Sequence, residues 1–447
     1  MFPIIFYHVL FILATAFAIH NSSNHPVSDA FYHIKAVVIP YHNHTLNVLE
    51  LFRTRGPSDQ PHVLYKLFLL ANYQLFNLDF RIELLFGLLG IYLSSCLLLR
   101  CLSASLSRSK AIVAAVAQLF VVAKLVSFNS NQHFLWSLVT FDYCMLTLSF
   151  LVFVFASRLA FQTTPPFFFY SMASMALVFG STTGELGVAA VGAGFLILAV
   201  VNRRKWLLRH ALWTFFLILA FKVLFFLLKD SGPFSGPKAS NDILSFAAAK
   251  FTLHWLAQGV LAADYYKNAL PVDFHIISLA IGAVVAALNV YSIVLYFKNR
   301  LYLATLFPLF LQTFTYGTLV ALLIGRFAFY GADYALQPRY VRLAELNIIA
   351  LAWVFGLHAS KTARRLGRAC YIIPSTVLLL VQMAVIPSNF KQSPWIVRYH
   401  KAEEREIRAL ANGEIENATM PRINVYGAKD VSRFLKENKL SLFDGEF

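Results

Sequence analysis

Three short stretches of the chain carry residue types that could do chemistry at a membrane boundary. The first is Ser28-Asp29-Ala30-Phe31-Tyr32. A carboxylate beside aromatics that lower the local dielectric can have its proton affinity tuned, which makes Asp29 the candidate catalytic base. Ser-Asp ahead of a helix is also what an N-cap uses, so a capping role stays open. The second is Gly56-Pro57-Ser58-Asp59-Gln60-Pro61-His62. Gly and two Pro make a turn, and Asp59, Gln60 and His62 add an acid, an amide and an imidazole, a set suited to sugar hydroxyls or to orienting a base. A capped turn is the rival reading. The third is Gln337-Pro338-Arg339-Tyr340-Val341-Arg342. Guanidinium groups bind oxyanions in bidentate fashion, so Arg339 and Arg342, with Arg326 upstream, are candidates for a phosphate or diphosphate clamp to which Tyr340 adds a hydrogen bond. Snorkelling and aromatic anchoring at a helix end would use the same residues.

Ionisable groups also fall at membrane depth: Lys124, Asp142, Glu185 and Lys222. Charge inside a bilayer is costly and is retained for a reason. Glu185 follows Ser181-Thr182-Thr183-Gly184 at a turn and is a candidate for the border of a substrate cavity. Asp142 is expected to pair with Lys124 or Lys222 as structural glue, since a proton relay needs several aligned carboxylates.

The elements that position these residues follow from composition. The chain has 447 residues, 58% of them hydrophobic and 13% charged. A soluble domain so composed would expose large apolar patches, whereas lipid accepts them. About eleven apolar runs approach the roughly 20 residues that a bilayer core needs. They are 2–19, 84–102, 111–128, 134–156, 166–181, 184–201, 206–228, 274–297, 301–325, 343–360 and 369–386. The fold class expected is therefore an all-α polytopic membrane protein. The first run is read as a retained helix, although Ala14-Thr15-Ala16 and Ala16-Phe17-Ala18 have the look of signal-peptide cleavage sites. Cys96, Cys101, Cys144 and Cys370 show no ligand spacing and are read as small hydrophobes, with no metal site and no disulfide framework.

The net charge of +16 resolves into topology. Arg100, Arg108, Lys110, Arg158, Arg203, Arg204, Lys205, Arg209, Lys298, Arg300, Lys361, Arg364, Arg365 and Arg368 are fourteen cations in five short connections that hold no Asp or Glu. These connections alternate along the chain, as the positive-inside rule requires of cytoplasmic loops. The register puts the N-terminus inside, the C-terminus outside, and every acid except Asp142 at or near the outer face or in the tail. No nucleic-acid partner is expected.

Three of the remaining connections, about 20–82, 229–273 and 326–342, are long outer loops, and they hold all three chemical stretches. Two of them contain amphipathic segments, Val63 to Leu78 and Asp242 to Tyr266, with the character of interfacial helices. The division expected is a transmembrane part, 1–386, and an extracytoplasmic tail, 387–447. The tail has ten Lys/Arg, nine Asp/Glu and helical patterning at Tyr399–Asn412 and Ala428–Asn438.

With these residues placed, the chain resembles the GT-C superfamily, multispanning glycosyltransferases that use polyprenyl-phosphate-linked sugars, and among them bacterial relatives of the O-antigen-modifying transferases. The 28–32 stretch resembles the acidic motif of the first outer loop, with one acid, Asp29, where many relatives have two. Asp59 to Lys66 resembles a Glu-His-Arg-like motif before the next helix, with Gln60 and His62 departing from its usual order. Gln337 to Val341 resembles the Arg-Tyr motif ahead of a late helix, and Leu440-Ser441-Leu442-Phe443 resembles the end of these relatives' tails. The resemblance implies a GT-C-like fold in a bacterial inner membrane with its active site at the periplasmic face. It implies a polyprenyl-phosphate-sugar donor, an envelope glycan or lipid acceptor, Asp29 as base, and the lipid phosphate on Arg339, Tyr340 and Arg326 or Arg342. Asp59, His62 and Glu185 would contact substrate. No motif calls for a cofactor, and a divalent cation is the one candidate. Two other classes share parts of this pattern: a flippase or transporter of lipid-linked sugars, and a non-catalytic envelope scaffold.

Overall fold

A run of apolar residues in hydrocarbon has only its own backbone to hydrogen-bond to, and every long run in this sequence is helical. The structure is a computed structural model of the chain, and it describes residues 2–53, 62–106, 111–129, 132–160, 167–201, 203, 205–228, 241–266, 273–298, 303–362 and 365–445. The principal helices are α1 (Phe2–His20), α2 (Asp29–His33), α3 (Val63–Phe76), α4 (Phe80–Ser105), α5 (Ala111–Leu125), α6 (Ser137–Ala160), α7 (Phe167–Gly180) and α8 (Thr182–Val201). They continue as α9 (Lys205–Leu228), α10 (Phe246–Gln258), α11 (Phe274–Lys298), α12 (Leu303–Leu322), α13 (Val341–Lys361), α14 (Arg365–Asn412) and α15 (Ala428–Glu437). No strand occurs among the described residues. The protein is an all-α polytopic membrane protein.

Among the described residues nine helices are long and apolar enough to cross a bilayer: α1, α4, α6, α8, α9, α11, α12 with its continuation to Tyr330, α13 and α14. The eleven runs expected from hydropathy include two more, which fold as α5, of 15 residues, and α7, of 14. Their described parts are about 22 and 21 Å long at 1.5 Å per residue, against a hydrocarbon core of roughly 30 Å, and residues 107–110 and 161–166 ahead of them lie outside the described residues. Both nevertheless run along the bundle. Ala117 of α5 lies beside Gly356 and Tyr371, while Lys124 at its other end reaches Glu345 near the start of α13. Phe167 of α7 packs on His210 at 5.3 Å, and Gly180 at its far end lies against Leu64 of α3. Among the described residues, nine of the eleven expected runs are therefore helices long enough to span, and the other two are apolar helices described over 15 and 14 residues.

The long loops gather on one face. Asn241 binds the carbonyls of Phe327 and Ala328, Asn129 accepts from the Ala262 amide at 2.7 Å, and Lys35 pairs with Asp430 at 2.5 Å. Helices α6, α11 and α13 start on that face and carry Arg158, Lys298 and Lys361 in their last turns. Basic and loop-bearing ends are therefore opposite. Helix α13 is the axis: 83% of its spanning window is buried, against 17% for α9 at the periphery.

Neutral amides lock the middle. Asn289 of α11 and Asn347 of α13 exchange side-chain hydrogen bonds at 3.0 Å, Tyr316 of α12 donates to Asn289 at 2.6 Å, and Gln312 donates to Ser292 at 2.8 Å. In lipid such groups have no water to fall back on, so each must find a protein partner.

Helix α14 has 48 residues and contains Pro374, Pro387 and Pro394. Its length of about 72 Å is more than twice the hydrocarbon thickness, so much of it projects from the bilayer. The expected boundary at 386/387 falls inside it, and the expected helix at Tyr399–Asn412 is its end. The projecting part carries an apolar cluster of its own. Ala30, Phe31, Ile34 and Val38 of the first loop and Tyr65 and Leu69 of α3 pack with Ile407, Leu410, Val431, Phe434 and Leu435 of the tail. Each large side chain so buried contributes about 1.5–3 kcal/mol, enough in sum to hold first loop and tail as one body.

Candidate active site on the loop-bearing face

Asp29 opens α2. Ser28 occupies the N-cap position but makes no capping hydrogen bond, and its backbone is held at φ 51, ψ −117. Its hydroxyl instead donates to Asp29 Oδ1 at 3.4 Å, and its amide donates to the Arg422 carbonyl of the tail at 2.8 Å. A non-glycine residue at positive φ costs roughly 1–3 kcal/mol, retained where the surroundings over-determine it, as at functional sites. The capping role for Ser28 is therefore not the one the geometry uses. One turn beyond Asp29, the buried ring of His33 meets His62 at 5.7 Å and Tyr65 at 5.4 Å, both edge to face. His62 also sits at positive φ, 43°, at the start of α3 without capping it. The structure thus brings His62 into the neighbourhood of Asp29's helix. Asp59 and Gln60 lie outside the described residues.

Two residues of this site were not singled out in the sequence. Glu83, fully buried in the first turn of α4, accepts a hydrogen bond from Tyr65 at 3.1 Å. The signal for it was a carboxylate opening a 26-residue apolar helix. Lys66, also fully buried, donates to the carbonyls of Glu50, Leu51 and Arg53 at 3.0, 3.0 and 2.6 Å and staples the loop to α3.

Arg339 lies in a short turn ahead of α13, over aromatic faces. Its guanidinium stands 5.1 Å from the Tyr340 ring, 5.5 Å from Tyr334 and 6.0 Å from Trp136, and it donates to the Tyr334 hydroxyl. Its Nε is buried with no hydrogen-bond partner among the described residues. Burial pushes the Tyr334 hydroxyl's pKa up, with Tyr340 adding to it and Arg339 and Arg326 opposing. Tyr334 therefore keeps its proton, and Arg326 belongs to the same charged neighbourhood. Trp136 joins the two halves of the site, for its ring also packs against the apolar cluster beneath Asp29.

Arg342 is not part of an open clamp. It is buried, binds the Lys124 carbonyl, lies 3.4 Å from Glu345 Oε2 and stacks 5.2 Å over Tyr143. Lys124, fully buried beside it, reaches Glu345 Oε1 at 3.3 Å and the Gly259 and Val260 carbonyls at 2.8 and 2.9 Å. Gly259 is needed there, since a Cβ would lie 2.5 Å from the Ala344 carbonyl oxygen. The expected pairing of Asp142 with Lys124 or Lys222 gives way to other partners. Lys124 takes Glu345, and Lys222 takes Glu185 at 2.8 Å. Glu185 is thereby held in an ion pair whose lysine is half exposed on the peripheral helix α9. Burial in lipid makes the nearest opposite charge the decisive partner.

On the far side of that turn lies an open cleft of about 510 Å³ lined by Asp264, Phe274, His275, Asp333, Gln337 and Pro338. Behind it His254 bonds Ser278 through Nδ1 at 2.8 Å and faces His275 through Nε2 at 3.5 Å, while Asp333 stands 4.0 Å from His275 and 3.8 Å from Lys250. These three ligand-type groups, His254, His275 and Asp333, could hold a divalent cation, and around Asp29 the described residues form no such trio. Burial, then the nearby His275 and Lys250, push His254 down to about 4. An unfolded chain would protonate this imidazole near 6.5 while the folded one keeps it neutral, so folding loses stability as pH falls from about 6.5 to about 4. A thermal-stability profile of His254→Gln should be flatter than that of the parent in this window. A parallel acid limb in both would remove His254 as its cause.

Comparison with protein-family models, with curated proteins and with solved structures finds no match to this chain.

Proposed function

We propose that this protein is a membrane glycosyltransferase that moves a sugar from a polyprenyl-phosphate donor to an envelope glycan or lipid acceptor, at the periplasmic face of a bacterial inner membrane. One observation carries the reading: Trp136 lies under Arg339's guanidinium and against the apolar cluster that seats Asp29. A cation for a phosphate stands on Trp136, and the carboxylate for a hydroxyl neighbours Ala30 and Phe31 of the apolar cluster that Trp136 packs against. The acceptor oxygen attacks the anomeric carbon as the bond to the phosphate oxygen breaks, inverting that centre. Asp29 takes the hydroxyl proton, and the lipid phosphate leaves with the bonding electrons, its charge met by Arg339 with Arg326, Tyr334 and Tyr340. The open cleft beyond Pro338 offers carboxylates and an imidazole to sugar hydroxyls.

Arg339→Lys tests the donor assignment in liposomes carrying a polyprenyl-phosphate sugar. A lysine keeps the charge but loses the planar fork and the stacking. The expected result is a roughly 10–100-fold rise in donor KM with normal protein yield, the scale of one charge-assisted hydrogen bond. An unchanged KM sinks the clamp. Translocation of lipid-linked sugar with no transfer by the parent protein would establish a transporter instead.

A further inference from the structure

The segment after α1 and the projecting part of α14 meet in a buried cluster that the transfer reaction does not use. His400 and Glu403 lie one turn apart on α14, and His25 reaches them from the first loop. His25 Nε2 is 3.2 Å and His400 Nδ1 3.0 Å from the same oxygen, Oε2 of Glu403. The side chains of His25 and Glu403 are wholly buried and that of His400 is 5% exposed. Around them stand Glu404, 3.8 Å from His25 Nδ1, and Arg422, whose Nε is 3.4 Å from Glu403 Oε1.

As a hydrogen-bonded cluster this set is poorly satisfied. Two imidazole nitrogens converge on one carboxylate oxygen, while Oε1 of the same Glu403 carboxylate is buried with no hydrogen-bond partner among the described residues. Buried polar atoms are nearly always partnered, so exceptions ask for a reason. A tetrahedral ion with bonds of about 2.0–2.1 Å sets its ligand atoms about 3.3 Å apart, a few tenths of an ångström from the two imidazole–carboxylate separations, and all three ligand atoms lie within 4.8 Å of one another. The outer groups also suit an ion. A carboxylate on the second nitrogen of a ligating histidine fixes its tautomer, as Glu404 would for His25. Two imidazoles and one carboxylate favour zinc-class metals over magnesium or calcium, which want oxygen alone.

We propose that His25, His400 and Glu403 bind a zinc-class divalent transition-metal ion that ties the tail to the segment bearing Asp29. The ion would hold that segment at both anchors. His25 lies just ahead of Ser28, and Arg422, beside Glu403, accepts the Ser28 amide through its carbonyl. The site is structural and would exist whether or not Asp29 is a catalytic base.

Full-length protein in detergent should carry about one equivalent of zinc per chain by elemental analysis. Chelation should remove it and lower Tm, and added zinc should restore both. Cobalt in its place should give the visible absorption of a tetrahedral site, a reading on the parent protein that needs no variant to fold. His25→Ala and Glu403→Gln should reduce the metal to background while His254→Ala retains it. Glu404→Gln should weaken binding about 10–100-fold. Zinc below a tenth of an equivalent with a Tm indifferent to zinc and chelator overturns the proposal, as does full occupancy in His25→Ala. Because metal content and Tm are read without any sugar donor, loss of the transferase reading would leave these results standing, and the reverse also holds.

Discussion

Asp29→Asn is expected to lower the sugar-transfer rate about 10²–10⁴-fold, the usual contribution of a positioned general base, with protein yield and Tm unchanged. The change is isosteric, and the environment explains why folding tolerates it. Asp29 is part-exposed at the start of α2, where an isosteric amide fits the same space. The Ser28 hydroxyl at 3.4 Å can donate to an amide oxygen as it does to the carboxylate oxygen. The loss should fall on kcat, with donor KM within about threefold, because the base acts on the acceptor proton and not on the lipid phosphate. That separates it from Arg339→Lys, whose effect falls on KM. Transfer at the parent rate by well-folded Asp29→Asn would end the base assignment, and attention would then pass to Glu83, the buried carboxylate bonded to Tyr65.

The second large effect is on folding. Glu345→Leu should cost about 3–5 kcal/mol and remove most detergent-stable protein, because it strands two buried cations. Lys124 and Arg342 both depend on that carboxylate, at 3.3 and 3.4 Å, and Lys124 also holds the Gly259 and Val260 carbonyls that dock the second long loop on α13. Lys124→Met alone should cost less than Glu345→Leu, since Arg342 still answers Glu345. The double variant Lys124→Met with Glu345→Leu should recover part of the loss, since one buried cation then remains in place of two. Thermal unfolding of the four proteins in one detergent decides it. A cost under about 1 kcal/mol for Glu345→Leu would show that water reaches the group and that burial is not what holds it.

Much of the fold was legible because hydropathy and charge are local sums. Twenty apolar residues are a helix in lipid whatever their neighbours are, and basic loops sort to one side by the same rule. The limit of that reasoning shows at α5, where the apolar run was read to 128 and the helix ends at Leu125. It shows again at α14, where the division expected at 386/387 falls inside one helix that runs through Pro374, Pro387 and Pro394. A proline removes one backbone bond, which a long helix packed along its length can spare.

The site was legible only in part. Asp29 and Arg339 stood out because a carboxylate or guanidinium at a helix boundary is conspicuous in an apolar sequence. Glu83, Lys66 and Glu345 did not, since each lies at the edge of a run and reads there as an ordinary flank. Arg342 was expected at substrate for its guanidinium and Glu185 for its place at a turn, and the structure gives each an ion-pair partner within the protein.

By itself, then, the sequence determined the solvent this protein lives in, the helical class, and which segments carry charge. Those properties depend on residue type and spacing within a window of about one span. The tertiary structure alone decided the pairings: Lys124 with Glu345, 221 residues away, and His25 with Glu403, 378 residues away. A buried charge takes whichever opposite charge packing brings within a few ångströms, and that distance is written in no local stretch of the chain.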